Sequence, residues 1–279
     1  MSILQGVTTG VSRTGLRMII AGQEKMGKTT MAACAPGALL VPLEVGYAGV
    51  SVDKTPMLQS FEEVLTLLQE VTALAQRGQF KYRTLAFDSA TALERHIHDF
   101  VLRLDPTYKP GSNKTVTMES AHGGYGKAYN LANGVLEGVL KQFDMLAVHA
   151  GINIVLTCHV FSSKVSDPTV GEYDSWDLLL HSPKNQKTYG KREMITQWAD
   201  CIGFLYEPIF LMTSDKSNMS RGMSQNKGRQ LGVSRTPSYT AGNRFGMLGE
   251  LAVAAPPANS WNSFAEALYK SSGIDVYTR

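Results

Sequence analysis

A glycine-bounded segment near the amino terminus, Gly22-Gln-Glu-Lys-Met-Gly-Lys-Thr29, sharply limits the possible folds of this chain. A short apolar run at residues 15–21 precedes the segment, and a helix-prone run at residues 29–34 follows it. A strand, a glycine loop and a helix in this order are the context that a phosphate-cradling loop requires. The segment therefore predicts an α/β domain whose first strand leads through this loop into a helix.

The residue types in this segment suit a triphosphate ligand. Glycines let backbone N–H groups curl around a β-phosphate, and the start of the following helix adds partial positive charge. Lys28 can reach the β- and γ-phosphates, and the Thr29 hydroxyl can ligate magnesium. We predict that ATP binds here with Mg²⁺, although no base-reading motif excludes GTP. The predicted contacts are Gly22, Gln23, Glu24, Lys25, Met26, Gly27, Lys28, Thr29 and Thr30.

Strands and helices alternate along the rest of the chain. Apolar runs predict buried strands at residues 38–43, 84–87 and 151–156. Apolar residues at helical spacing predict amphipathic helices at residues 61–74, 93–101 and 131–146, the first opened by a capping box at residues 60–63. Nearer the carboxyl terminus, the predicted elements are a helix at 195–201, strands at 202–206 and 209–212, and a last helix opened by a capping box at Ser263.

Three polar stretches interrupt this alternation. Residues 105–126 are rich in Gly, Pro, Ser, Asn and Thr, which predicts a long mobile loop. Residues 160–192 form a second polar stretch, and residues 213–244 are rich in Ser and Gly. We predict the second stretch as a long loop.

Several polar side chains follow the predicted strands, where the carboxyl ends of a parallel sheet face one crevice. Asp88 can hold magnesium through water, or it can instead cap the next helix. Glu44 can orient and deprotonate an attacking water, or it can be a solvated loop residue. Thr157 and His159 leave the strand at 151–156 on the same side. The histidine can sense a γ-phosphate, or a neighbouring loop can satisfy its hydrogen bonds.

Composition and charge exclude few classes of function or binding partner. The chain has 279 residues with a net charge of +3 and a pI near 8.6, which is too mild to indicate a nucleic-acid partner without local clustering. Cys34, Cys158 and Cys201 are widely separated and lack metal-ligand spacing, so we expect buried thiols in a reducing cytoplasm. No run approaches the ~18 apolar residues of a membrane span, so we expect no membrane partner.

Six segments together resemble the RecA-like ATPases, and most closely the phage RecA-like single-strand annealing proteins of the Sak group. The matching segments are Gly22 to Thr30, Pro42-Leu-Glu44, Leu85-Ala-Phe-Asp-Ser89, Gly124-Tyr-Gly-Lys-Ala-Tyr129, Val155-Leu-Thr-Cys-His159 and Tyr239-Thr-Ala-Gly-Asn-Arg-Phe245. The resemblance implies an α/β fold with a RecA-like P-loop NTPase core, whose mostly parallel central β-sheet is flanked by helices. We place this core at residues 1–255 and a helical extension at residues 256–279.

The resemblance also implies roles for single residues. It places Glu44 as the catalytic glutamate, Asp88 as the Walker B carboxylate and His159 as the γ-phosphate sensor leading into a DNA-binding loop. Arg244 falls near a position that reaches the γ-phosphate of a neighbouring subunit, so we predict it as a catalytic residue in an oligomer. Gly242 stands where the family often has lysine, and Pro42 interrupts the strand before Glu44, so we expect nucleotide binding with weak hydrolysis.

Two groups of basic residues are candidates for contact with DNA. The two polar stretches at 105–126 and 160–192 fall where the family has its DNA-contacting loops. Cations around an aromatic side chain can hold an unpaired strand by neutralising phosphates and stacking bases. The first group is Lys184, Lys187, Tyr189, Lys191 and Arg192. A solvated basic loop is the alternative, because Asp167, Glu172, Asp174 and Asp177 precede the group. The second group is Lys216, Arg221, Lys227, Arg229, Arg235 and Arg244.

The leading functional prediction is an ATP-responsive protein that binds single-stranded DNA and promotes strand annealing or pairing in recombination. It would act as a homo-oligomer, either a ring or a filament, in the cytoplasm of a bacterial host if a phage encodes it. A single-strand-binding protein is a further candidate partner. The alternatives are a nucleotide-switched, protein-binding or helicase-loader-like module, and a RecA-type helicase or packaging motor.

Overall fold

A computed structural model describes residues 7, 9–10, 14–111, 116–183, 189–214, 217–225 and 228–277. Its strands are β1 (Arg17–Gly22), β2 (Ala38–Pro42), β3 (Asp53–Lys54), β4 (Thr84–Asp88), β5 (Asn153–Cys158), β6 (Val160–Asp167), β7 (Gly171–Leu178), β8 (Cys201–Tyr206), β9 (Ile209–Ser214), β10 (Ser217–Ser224), β11 (Arg229–Gly232), β12 (Gly242–Asn243) and β13 (Glu250–Val253). Its helices are α1 (Lys28–Ala33), α2 (Phe61–Gln76), α3 (Ala90–Arg103), α4 (Lys127–Ala150), α5 (Lys191–Trp198) and α6 (Asn262–Ser272).

A mixed central sheet organises the chain in the order β13-β11-β8-β1-β5-β4-β2-β3. The strands from β8 to β3 are mutually parallel, whereas β11, β12 and β13 add antiparallel pairs at one side. The expectation of a mostly parallel sheet flanked by helices is confirmed. Because β1, β2, β4 and β5 run in the same direction, their carboxyl ends lie at one edge of the sheet.

Helices cover both faces of the sheet, so the central strands are apolar on both sides. In β1, Ile19 and Ala21 face a core formed with α2, α3 and α4, while Met18 and Ile20 face a second core formed with α1 and α6. This two-sided burial explains why the strands read as continuous apolar runs. The predicted strands at 38–43, 84–87 and 151–156 and the helices at 61–74, 93–101 and 131–146 are all confirmed within a few residues.

The second polar stretch is not a loop, contrary to the prediction. Residues 160–178 form the antiparallel hairpin of β6 and β7, in register from Val160 opposite Leu178 to Asp167 opposite Gly171. Alternate residues of β6 are exposed, so its apolar content is too low to read as a strand. Trp176 also bridges to Tyr239 and so ties the hairpin to a distant segment.

Three smaller differences from the predictions concern the serine- and glycine-rich stretch, the start of the last helix and the predicted loop at 105–126. The serine- and glycine-rich stretch contains β10, β11 and β12, of which β11 and β12 belong to the central sheet. Helix α6 has Trp261 as its N-cap without a side-chain capping bond, so the capping box predicted at Ser263 is wrong. Within the described part of residues 105–126, Met118 and Ala121 are buried and Asp105 accepts a hydrogen bond from the backbone of His122, so these residues pack against the fold.

Candidate functional site

The glycine segment forms a tight loop at the carboxyl end of β1, in the middle of the sheet. Gly27 is the N-cap of α1 and has φ of +94°, a conformation that glycine adopts without strain. A side chain at Gly22 would place its Cβ 2.4 Å from the carbonyl oxygen of Leu205 in β8. Glycine is thus required at both ends of the loop, for different reasons.

Lys28 is buried beneath this loop. Its Nζ donates hydrogen bonds to the carbonyl oxygens of Gly22 and Gln23, each at 2.8 Å. Burial lowers the pKa of this ammonium group, while Glu24 and Asp88 nearby oppose the shift. The cation therefore lies against the backbone of the loop, and its contact with a bound phosphate stays a prediction.

Asp88 ends β4 and is held by hydroxyl groups from two other elements. Thr29 Oγ1 of α1 donates to Asp88 Oδ2 at 2.8 Å, and Thr157 Oγ1 of β5 donates to Asp88 Oδ1. The alternative role of Asp88 as a helix cap is wrong, because Ser89 Oγ is the group that accepts from Ala92 N at the start of α3. Asp88 therefore lies beside Thr29, and its role in holding magnesium stays a prediction.

Glu44 lies just beyond β2, and both of its carboxylate oxygens are hydrogen bonded. Oε1 is 2.8 Å from His159 Nε2, and Oε2 accepts from the Arg95 guanidinium at 2.8 Å. The hydrogen bond from His159 is the main reason that the pKa of Glu44 falls to about 2. Glu44 is therefore an ionised, positioned carboxylate and not a solvated loop residue.

His159 lies at the edge of the sheet that carries Glu44. It lies between β5 and β6, and its backbone N–H donates to Thr91 Oγ1 of α3 at 3.2 Å. Its second ring nitrogen, Nδ1, is buried and has no hydrogen-bond partner among the described residues, with Glu24 Oε1 at 3.9 Å. A buried nitrogen without a partner is able to accept or donate one further hydrogen bond.

The hydroxyl of Thr29 and the carboxylate of Asp88 are the groups that could hold magnesium. Within the described ranges, no cluster of three or more His, Cys, Asp or Glu side chains could hold a metal ion unaided. Mg²⁺ usually keeps several waters and binds through one or two protein groups together with substrate phosphates. The donor set therefore fits a magnesium ion that arrives with the triphosphate.

Arg244 lies at the opposite edge of the sheet. It follows β12, which pairs with the first residues of β8, and its Nη1 donates to Asp200 Oδ1 at 3.1 Å. Asp200 also pairs with Arg17 at the start of β1. The length of β1 separates this edge from the loop after Gly22 by roughly 17 Å at ~3.3 Å per residue. Arg244 does not join the site within one chain.

Two members of the first basic group, Lys191 and Arg192, do not form the solvent-facing surface that the sequence predicted. Lys191 is completely buried, with Nζ 3.2 Å from Asn133 Oδ1 and 3.9 Å from Glu94 Oε1. Arg192 pairs with Asp177 and Glu193 at 2.8 and 3.0 Å. The prediction that Lys191 and Arg192 contact DNA phosphates directly is therefore wrong. Tyr189 is 64% exposed, whereas Lys184 and Lys187 lie outside the described residues.

Three members of the second basic group whose side chains are described lie in different places. Arg229 contacts the glycine loop, Arg235 is exposed beyond β11, and Arg244 lies at the far edge of the sheet. Lys216 and Lys227 lie outside the described residues. Sequence reasoning thus assigned Arg229 to the wrong surface, and it missed Arg95, whose helical position after Asp88 was the available signal.

Comparisons with known proteins agree with this geometry. Residues 14–245, which include every strand-end group described above, match the AAA domain family. No curated protein sequence matches the chain significantly. No helix in the described ranges is long and apolar enough to cross a bilayer. The match indicates a nucleotide-binding domain of the P-loop ATPase type, for which magnesium is the usual companion ion. By this match over most of its length, the chain belongs to the AAA domain family.

Proposed function

We propose that this protein hydrolyses ATP as its magnesium complex, with Glu44 as the group that activates water. The observation that carries the proposal is the hydrogen bond between Glu44 and His159 beside the loop that contains Lys28. A low pKa keeps Glu44 ionised at neutral pH. A carboxylate at this position can orient a water molecule for in-line attack on a terminal phosphate.

Hydrogen bonds restrain Glu44 before any water can bind to it. One hydrogen bond at each oxygen holds the carboxylate in place, and release of the bond at Oε1 would leave both lone pairs of that oxygen for a water molecule. The imidazole of His159 can turn its donor toward a γ-phosphate, because the phosphate offers a charged acceptor. In this proposal the γ-phosphate takes the hydrogen bond of His159 away from Glu44 Oε1. Glu44 then activates water only when a triphosphate is bound.

Glu44→Gln tests this proposal directly. The amide keeps the size of the side chain but cannot accept a proton, so we expect phosphate release to fall by about 10²-fold or more. Binding of a fluorescent ATP analogue should stay within about threefold of wild type. Lys28→Ala should abolish that binding. Normal phosphate release by Glu44→Gln would remove Glu44 from the role.

We further propose that the ATP-bound protein forms a homo-oligomer that binds single-stranded DNA and promotes strand annealing, with a single-strand-binding protein as a further partner. The resemblance to phage RecA-like annealing proteins supports this, as does the exposed ring of Tyr189 beside α5. Arg244 would act in such an oligomer on the nucleotide of a neighbour. The hairpin after His159 contributes little positive charge, because Lys164 is opposed by Asp174.

DNA binding is tested with a fluorescent oligonucleotide at two salt concentrations, with and without ATP and magnesium. We expect Tyr189→Ala to weaken binding roughly 5- to 100-fold, since stacking contributes ~1–3 kcal/mol per base. A Lys184→Ala/Lys187→Ala double variant should reduce both affinity and its salt dependence. Tyr269→Ala, which removes another exposed tyrosine, is the matched control. Undetectable binding at low salt would contradict this proposal.

A nucleotide-switched protein-binding module, such as a helicase loader, is the second candidate. It is favoured by the ribbon of β9 and β10, where Ile209, Met212 and Met223 are all exposed. Exposed apolar groups on one ribbon are typical of a protein-binding surface. ATP binding without any affinity for DNA would favour this function over annealing.

A further inference from the structure

The first residue of β11 lies next to the phosphate loop. Strand β11 pairs antiparallel with β8, with Leu231 opposite Leu205. Leu205 is in turn opposite Gly22 at the end of β1. Because β11 runs against β8, its start at Arg229 lies at the same edge of the sheet as the loop.

The guanidinium of Arg229 contacts this loop directly. Its Nη1 donates to the carbonyl oxygen of Met26 at 3.0 Å. The same nitrogen lies 2.1 Å from the place that a Cβ on Gly27 would occupy. The missing side chain at Gly27 thus makes room for the guanidinium, in addition to allowing the positive φ of this residue.

Arg229 differs in its charge environment from three arginines that join other elements of this fold. Arg17, Arg95 and Arg192 each pair with a carboxylate. In the described part of the chain, no carboxylate lies within 4 Å of the Arg229 guanidinium. A half-buried guanidinium has five donors, and the contact with Met26 uses one of them. The remaining donors match the planar, bidentate geometry by which arginine binds phosphate oxygens.

We propose that Arg229 is a phosphate-binding residue of the nucleotide site, supplied by the same chain as the loop. It recognises the terminal phosphates of a nucleoside di- or triphosphate from the side of β11, opposite the cation of Lys28. This inference rests on the proposed binding of ATP. It gives each subunit a second cation at its own nucleotide, independent of any arginine that a neighbour contributes.

Equilibrium binding of magnesium complexes of ADP and a non-hydrolysable ATP analogue tests the proposal. We expect Arg229→Ala to weaken both affinities about 10- to 100-fold, the range for a lost charged hydrogen bond. Arg229→Lys should recover only part of the loss, because it restores the charge but not the bidentate geometry. The affinity of the wild type should also fall more steeply with salt than that of Arg229→Ala, which a purely structural role would not produce.

Arg235→Ala is the matched control, since it removes an exposed arginine shortly after β11. Wild-type affinities in Arg229→Ala would overturn the inference. So would an affinity loss that Arg229→Lys fails to recover and that accompanies a lower melting temperature without nucleotide, because Arg229 would then only support the loop. Failure of the wild type itself to bind either nucleotide would instead contradict the proposed function.

Discussion

Asp88 illustrates how single hydrogen bonds build this site. Its carboxylate is 5% exposed, and the hydroxyls of Thr29 and Thr157 donate to its two oxygens. A buried carboxylate is costly unless such donors compensate the water it has lost. The two threonines therefore replace hydrogen bonds that the Asp88 carboxylate loses on burial, and they orient it before magnesium binds.

Replacement of Thr157 tests this compensation. Thr157→Val keeps the shape of the side chain but removes the donor, so we expect a loss of about 1.5–3 kcal/mol in the free energy of unfolding. Urea denaturation at neutral pH measures the change. Thr157→Ser keeps the hydroxyl and should lose clearly less. Equal losses in the two variants would show that the methyl group, and not the hydrogen bond, is what matters.

At the scale of elements, α3 connects two polar regions. On the side of the phosphate loop, Arg95 donates to Glu44. Thr91 accepts from the backbone of His159. Its Glu94 and His98 face a buried cluster with Tyr129, His181 and Lys191, where the rings of Tyr129 and His181 stack at 3.8 Å. Burial lowers the pKa of His98 to about 3 and that of Lys191 to about 8. This cluster holds α5 against α4.

The low pKa of His98 predicts a loss of stability in mild acid. The unfolded chain protonates this histidine near pH 6.5, but the folded chain resists protonation until about pH 3. Stability should therefore fall as the pH drops below 6.5, by about 2 kcal/mol between pH 7 and pH 5 from this residue. Glu44 does not contribute between pH 7 and pH 5. Its carboxyl is ionised there in the folded chain, where its pKa is about 2, and also in the unfolded chain, where its pKa is 4.5.

Urea denaturation of wild type and His98→Gln at pH 7 and pH 5 measures this effect. Glutamine cannot take up the proton, so the variant should show a smaller difference in unfolding free energy between the two pH values. His181, whose pKa burial also lowers, accounts for part of the remaining slope. An identical pH dependence in the two proteins would contradict the assignment to His98.

At the scale of the whole molecule, the carboxyl-terminal segment completes one core of the sheet. Trp261, Phe264 and Leu268 are buried in the cluster that also contains Ile20 and Leu40. The family match ends at residue 245, yet these later residues cover the face of the sheet next to α1. The segment at 256–279, predicted as an extension, thus shares a hydrophobic core with the strand that carries the phosphate loop.

Trp261→Ala tests whether this segment stabilises the domain. Removing a fully buried tryptophan should cost about 3–5 kcal/mol of unfolding free energy. Tyr269→Ala, at an exposed position of α6, should cost less than about 1 kcal/mol. Thermal and urea denaturation of both variants give the comparison. A small effect of Trp261→Ala would indicate that α6 folds apart from the sheet.

Local patterns in the sequence were sufficient for the phosphate loop, for Asp88 and Glu44 at strand ends, and for the alternation of strands and helices. These features depend on residue types at short spacing, and strand direction then brings the carboxyl ends together. The contacts of Arg95, Arg229 and Lys191, and the pairing of β6 with β7, depend instead on partners far along the chain. Burial and charge pairing arise only when those partners pack, which is why Lys191 looked like a surface cation and Arg229 like part of a remote basic group.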